Sequence, residues 1–110
     1  MDYIDKTDNF ATKTETRKLV SIDKFTDYVY SSTPSDHVLD DGKKNIRIWK
    51  SDTLPNTVVW NPKNIWDRFG LAQDEDKEYV CVEPGKVTDK VNLVPGAGWR
   101  CSMVLSAARA

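Results

Sequence analysis

The sequence predicts a mostly β protein, an antiparallel β-sandwich or barrel with one short helix, forming a single domain over residues 1–110. Short segments rich in β-branched and aromatic residues recur along the chain. Turn residues separate these segments at a spacing that is typical of sandwiches and barrels. The chain has 110 residues, of which 39% are hydrophobic, and this is enough for one packed core.

The first half of the chain alternates between polar connections and β-rich segments. The polar stretch "DNFATKTETRK" is predicted to be a loop that leads into a strand, and the β-rich segments are "RKLVSI" and "FTDYVYSS". "STPSDHVLDDGKK" is predicted to be a turn-rich connection, because a proline and an Asp-Gly pair interrupt it. "NIRIWK" alternates, with Ile46 and Ile48 on one face and Arg47 on the other.

The second half contains three further predicted strands. "NTVVW" is a continuous apolar strand, and "EYVCVEPGKV" is a strand that ends at Glu83 and turns at Pro84-Gly85. "VNLVPGAGW" contains a Pro95-Gly96 turn. The last strand is predicted to place four side chains on one face: Trp99, Cys101, Met103 and Leu105.

The segment "WNPKNIWDRFG" predicts the one helix, over residues 62–69. Asn61 is a suitable N-cap, and Pro62 suits the first helical position because its missing N–H is no loss there. Gly70 supplies the left-handed residue that ends the helix. Ile65 and Phe69 are four residues apart, so we expect both to face the sheet.

Composition excludes several classes of function. With 16 basic and 17 acidic residues, the net charge of −1 gives no basic surface for nucleic acid. No apolar run approaches the roughly 20 residues that span a membrane. The start "MDYIDKTDNF" lacks a signal pattern, so the cytosol is the expected compartment, with Cys81 and Cys101 as reduced thiols. We expect no metal site and no cofactor, since two cysteines are too few for structural zinc.

Five motifs occur in a fixed order: "YIDK", "FTDYVYSSTP", "TVVWNP", "YVCVEPG" and "LVPGAGW". Together they resemble the C-terminal part of the glucose-6-phosphate 1-epimerases, the hexose-6-phosphate mutarotases of the galactose mutarotase-like superfamily. The resemblance covers nearly the whole chain and implies a partial domain, the C-terminal portion of a supersandwich. Lys63 departs from the family, which usually has a second Trp there, and Tyr28 stands in place of an Arg.

The resemblance implies an isomerase that interconverts the α and β anomers of hexose 6-phosphates, using a base and an acid on opposite sides of the sugar. Glu83 then looks like the general base, and Asp27 like a ligand of a sugar hydroxyl. The alternation of Tyr79, Cys81 and Glu83 leads us to expect partial desolvation of the Glu83 carboxylate. From the residues alone, Glu83 also fits a solvated strand end, and Asp27 an exposed strand residue.

The resemblance places the family's acid histidine, and the arginines that hold the phosphate, upstream of the segment similar to "YIDK". His37, the one histidine of this chain, lies downstream of "YIDK", so we expect a surface histidine with a near-normal pKa. Trp99 is expected in the core, while Trp60 fits either the core or a sugar platform. "DEDKE" is expected to be a solvated loop.

Three interpretations remain open at this point. The chain is the C-terminal part of an epimerase, a non-catalytic β module that binds a carbohydrate or a protein partner, or a piece of a longer chain encoded upstream. We expect the isolated chain to have little or no activity, because it lacks the acid histidine. We also expect self-association through exposed sheet edges.

Overall fold

The computed structural model describes residues 1–109, which form two antiparallel sheets and two short 3₁₀ turns. The strands are β1 Asp2–Asp5, β2 Ala11–Thr14, β3 Thr26–Tyr30, β4 Asp36–Asp40, β5 Lys44–Lys50, β6 Asn56–Asn61, β7 Cys81–Gly85 and β8 Met103–Arg109. The 3₁₀ turns are Trp66–Phe69 and Glu75–Lys77. The first sheet has the order β2-β1-β3-β6-β7 and the second the order β4-β5-β8. This confirms the predicted mostly β, sandwich-like antiparallel fold.

Within residues 1–109, no helix has the length and apolar character needed to cross a membrane.

A cluster of tyrosines forms the core of the first sheet. Tyr3, Tyr28 and Tyr30 are all buried, and Val59 packs against them. The Tyr3 ring centroid lies 4.6 Å from that of Tyr28 and 5.1 Å from that of Tyr30. Cross-strand pairing explains the cluster, because Tyr3 lies opposite Tyr30, and Tyr28 opposite Val59, so all four side chains share one face.

The tyrosine face is the inner face of the sandwich, and one hydrogen bond between the sheets shows this. Thr57 lies opposite Tyr30 and therefore points to the same side of the first sheet. Its Oγ1 is 2.8 Å from Nε2 of His37, which lies on β4 of the second sheet. Opposite His37 lies Ile48, a buried residue of β5, so the second sheet turns this apolar side toward the tyrosines.

The other side of the first sheet is its outer face. At one end of this face Asn56 is fully buried, and its side chain holds the chain that follows β7. Its Oδ1 accepts hydrogen bonds from the backbone N–H groups of Val87 at 2.6 Å and Thr88 at 3.1 Å. Its Nδ2 donates to the carbonyl of Ser31 at 2.8 Å. A single side chain thus connects β3, β6 and the segment after β7.

Three predictions for the first half of the chain are wrong. The polar stretch expected to be a loop contains β2, and the turn-rich connection contains β4. The segment "RKLVSI" forms no strand, and Leu19 within it is 87% exposed. The reason is tertiary: β2 pairs with the free edge of β1, and β4 with that of β5, and a neighbouring edge outweighs residue preference.

The predicted helix over residues 62–69 is wrong in type and bounds. Asn61 is the last residue of β6, and its side chain is not a cap. Asn64 has a φ of 69°, which interrupts any regular helix, and only a 3₁₀ turn from Trp66 to Phe69 follows. Gly70 does end this turn in the left-handed conformation, with φ 72°. Phe69 remains 48% exposed.

Two strand boundaries also differ from prediction. β7 begins at Cys81 and continues through Pro84 and Gly85, which pair with β6. A proline is tolerated because β7 is an edge strand of the first sheet, where one side of the backbone needs no partner. β8 begins at Met103, so Trp99 precedes it, and Trp99 is 38% exposed instead of lying in the core.

The Pro95-Gly96 turn is confirmed. Gly96 has a φ of 85°, and the N–H of Ala97 donates to the carbonyl of Val94 at 3.0 Å. A positive φ at the position after the proline is the geometry of a type II turn, which favours glycine there. Backbone chemistry within four residues is therefore enough to specify this element.

Candidate functional site

The strand register brings the two residues of the predicted site to the same face. Asp27 on β3 lies opposite Trp60 on β6, which lies opposite Cys81 on β7. Directly opposed side chains share a face, and Glu83, two residues beyond Cys81, shares it as well. This is the outer face. From standard strand spacings, the Cα atoms of Asp27 and Glu83 are about 12 Å apart, which leaves room for a hexose ring between the carboxylates.

Trp60 lies between the two acidic residues and belongs to an aromatic cluster. Its ring is 5.2 Å from that of Phe69 at an interplanar angle of 88°, and 6.5 Å from that of Tyr79. Phe25 extends the cluster, with its ring 6.1 Å from Phe69. Trp60 therefore lies outside the tyrosine core, where an indole can cover the apolar side of a bound ring.

Asp27 is a half-buried carboxylate at one side of this face. Burial raises the pKa of Asp27, and the nearby Lys6 offsets part of that rise. Among residues 1–109 its carboxylate has no hydrogen-bond partner in the chain, although its backbone carbonyl accepts from the N–H of Lys6 at 3.0 Å. Both carboxylate oxygens are therefore able to accept hydrogen bonds from a ligand.

Glu83 lies within β7 and is exposed, so the predicted partial desolvation of this carboxylate is wrong. Its backbone lies opposite Val58, which fixes the direction of the side chain. Next to it, burial and the charge of Glu83 raise the pKa of the Cys81 thiol. The edge strand β7, which pairs only with β6, thus presents the accessible Glu83 carboxylate beside the neutral Cys81 thiol.

His37 lies on the other side of the first sheet from Glu83. It is half-buried between the sheets, and burial lowers its pKa, with the Lys50 ammonium adding to the effect. The expectation of a surface histidine with a near-normal pKa is therefore wrong. Because its Nε2 is engaged with Thr57 on the inner face, His37 cannot reach a sugar bound beside Glu83.

Sequence reasoning missed a polar pair at the end of β6. In the acidic run expected to be solvated, Asp76 is only 3% exposed, and its Oδ2 accepts the N–H of Asn64 at 3.2 Å. Asn61 is 1% exposed and donates to two carbonyls, those of Asp76 and Tyr79. An asparagine at the end of an apolar strand was the available signal, because a buried amide must find partners. Across residues 1–109, no three His, Cys, Asp or Glu side chains gather as a metal ion would require.

Comparison with known proteins shows a similarity to a curated protein. No protein-family model matches the chain. No solved structure matches it. A curated protein of Cenchrus ciliaris, named "Putative glucose-6-phosphate 1-epimerase", is 35% identical over an alignment of 113 positions, which covers 97% of this chain and 33% of that protein. The chain thus spans about a third of the length of the relative it matches.

Proposed function

We propose that the chain is the C-terminal part of a hexose-6-phosphate 1-epimerase. Its 35% identity to a putative glucose-6-phosphate 1-epimerase supports this, and the alignment covers a third of that protein, an extent that fits a C-terminal part. In this proposal Glu83 is the general base and Asp27 binds a sugar hydroxyl. The observation that carries it is the shared outer face, on which the β3-β6-β7 register aligns both carboxylates beside Trp60.

The proposed chemistry moves one proton on each side of the sugar. Glu83 removes the proton from the anomeric hydroxyl, and the C1–O1 bond becomes a carbonyl as the bond from C1 to the ring oxygen breaks. An acid protonates the ring oxygen, the C1–C2 bond rotates, and closure on the other face of C1 returns both protons. Each positioned proton transfer contributes roughly 100- to 10,000-fold to the rate.

Asp27 and Trp60 have positioning roles in this scheme. The free oxygens of Asp27 accept a hydrogen bond from a sugar hydroxyl, and the Trp60 indole covers the apolar side of the ring. Holding the sugar so that the anomeric hydroxyl meets Glu83 is a large part of the rate enhancement, since orientation alone is worth up to ~7–11 kcal/mol.

The acid is supplied from outside this chain. His37 is directed to the inner face, and no other histidine exists in the sequence. The family resemblance places the acid histidine and the phosphate-binding arginines upstream. We therefore expect the isolated chain to show little or no mutarotation above the buffer rate.

The compartment that we propose is the cytosol. Cys81 and Cys101 are both free thiols, which suits a reducing environment. The substrate proposed from the relative's name is a sugar phosphate.

The test uses a chimera in which this chain replaces the matching third of the Cenchrus ciliaris protein, with anomer exchange of glucose 6-phosphate measured by NMR. We expect exchange by the chimera, none above buffer by the chain alone, and a loss of at least about 100-fold on Glu83→Gln. Glu78→Gln is the matched control, because Glu78 is an exposed glutamate just before β7. Strong exchange by the chain alone, or full activity of the Glu83→Gln chimera, would overturn the assigned roles. A chimera that folds without activity would favour the non-catalytic β module.

A further inference from the structure

Among the four edge strands of the two described sheets, β8 differs from the other three in having an unguarded edge. β2 carries Lys13, β4 carries Asp36, and β7 carries Glu83 and Pro84. Over residues 103–108, β8 has no charge, no proline and no glycine. Charges and prolines are the usual means by which an edge strand avoids further pairing. β8 is therefore an edge that is suited to a neighbouring strand.

The side of β8 that continues the inner side of β5 is apolar and uncovered. Leu105 lies opposite Ile48, and Met103 opposite Lys50, so all four side chains are on the inner side of the second sheet. Ile48 and Lys50 are buried, with 4% and 2% of their surface exposed, whereas Leu105 is 61% exposed and Met103 46%. The first sheet thus covers β5 and stops short of β8.

β8 therefore lacks two kinds of contact within residues 1–109. Its backbone groups that point away from β5 have no strand to pair with, and its inward side chains have no layer over them. A second copy of this chain would supply only the first. Antiparallel pairing of two β8 strands extends the sheet, but it places the apolar side chains of both on the same uncovered side. A polypeptide that adds a strand to the edge and an apolar layer beside it supplies both.

A longer protein has enough chain to do this. The chain spans about a third of the relative it matches, so about two thirds of a protein of that length lies outside it. We propose that β8 is the docking edge for this remainder, of which one strand pairs with β8 while apolar side chains cover Leu105 and Met103. The inference rests on the proposed function, since it takes the chain to be part of a longer epimerase.

Hydrogen exchange of the β8 backbone tests the docking without reference to activity. The chain alone, at a concentration at which light scattering gives the monomer mass, is compared by mass spectrometry with the chimera described above. We expect the β8 amides that point away from β5 to exchange freely in the chain alone. In the chimera the same amides should exchange at least about 100-fold more slowly, because they donate to the added strand. Unchanged exchange in a folded chimera would overturn the proposal.

The variant Leu105→Lys tests which side of β8 is covered. Leu105 is exposed in the chain alone, so the substitution should leave the melting temperature of the monomer unchanged. In the chimera the lysine would be buried without a partner, and we expect the melting temperature to fall by about 5 °C or more. Val104→Lys is the matched control, because Val104 is 56% exposed and lies on the opposite side of the same strand. Equal losses for the two variants in the chimera would refute a contact on the inner side.

Two other outcomes would also overturn the proposal. Protection of β8 that rises with the concentration of the chain, and is absent from the chimera, would assign the edge to a second copy. A chimera that does not fold would show that the remainder does not fit this chain.

Docking and catalysis are measured separately. A chimera with protected β8 amides and no anomer exchange would refute the proposed chemistry and support the docking. Anomer exchange by a chimera whose β8 amides exchange freely would refute the docking and support the chemistry.

Discussion

Removal of the Glu15 carboxylate should change how the free energy of unfolding of the protein depends on pH. Glu15 follows β2, and its side chain is 10% exposed. Oε1 accepts from Nη2 of Arg17 at 2.8 Å and from the hydroxyl of Tyr30 at 2.7 Å, and Oε2 accepts from Nε of Arg17 at 2.9 Å. The hydrogen bonds from Arg17 have the largest effect on the pKa of this carboxyl, and the hydrogen bond from Tyr30 acts in the same direction. Although burial opposes them, they lower the pKa of Glu15 from 4.5 to about 2.

The shift converts to a free energy of unfolding. A lowering from 4.5 to about 2 is ~2.5 pH units, and at 1.36 kcal/mol per unit it corresponds to at most about 3 kcal/mol. Because the pKa is lower in the folded state, the folded protein is stabilised when the group is ionised. The full contribution is present above the unfolded-state pKa of 4.5 and is lost as the pH falls through about 2.

The assay is denaturant unfolding of the unmodified chain and of Glu15→Gln between pH 7 and pH 2. At pH 7 we expect the variant to be less stable by up to about 3 kcal/mol, and the two curves should converge toward pH 2. Glu78→Gln is the control, since Glu78 is exposed, and it should follow the unmodified chain throughout. Parallel curves for the unmodified chain and Glu15→Gln would refute the reasoning, because the carboxylate would then carry no linked stability.

Three further outcomes are expected. Strand β8 lies at the edge of its sheet, carries no charge from residue 103 to 108, and exposes 61% of Leu105, so the chain should self-associate through it. Leu105→Lys should shift the chain toward monomer in light scattering, and an unchanged mass would exclude β8 as the contact. Asn56→Ala removes the hydrogen bonds that a fully buried side chain makes with Ser31, Val87 and Thr88, and it should lower the free energy of unfolding by about 2–4 kcal/mol in denaturant melts. Thr53→Ala, on the exposed surface, should not. Burial lowers the pKa of His37 below 6.5, so protonation of His37 favours the unfolded state, and the stability of the protein should fall as the pH drops below about 6.5. In melts at pH 8 and pH 5, His37→Gln should lose less stability between the two pH values than the unmodified chain.

The sequence by itself determined the elements whose chemistry is local. The β-branched and aromatic residues of β3 and β6 predict strands, and both form. Gly70 ends a turn and Gly96 lies within one, as predicted, because each position requires a positive φ that other residues rarely adopt. The ordered motifs also predicted the similarity to the epimerases, which the Cenchrus ciliaris relative confirms.

Only the tertiary structure decided which segments pair and which side chains meet. The polar strands β2 and β4 form because the edges of β1 and β5 offer hydrogen-bond partners, while the more β-prone "RKLVSI" has no such edge. Asp76 is buried although it lies in a run of charged residues, because its Oδ2 accepts a hydrogen bond from the N–H of Asn64, just beyond the end of β6. Asp27 and Glu83 share a face only through the β3-β6-β7 register, a set of hydrogen bonds between residues far apart in the chain, which no local pattern encodes.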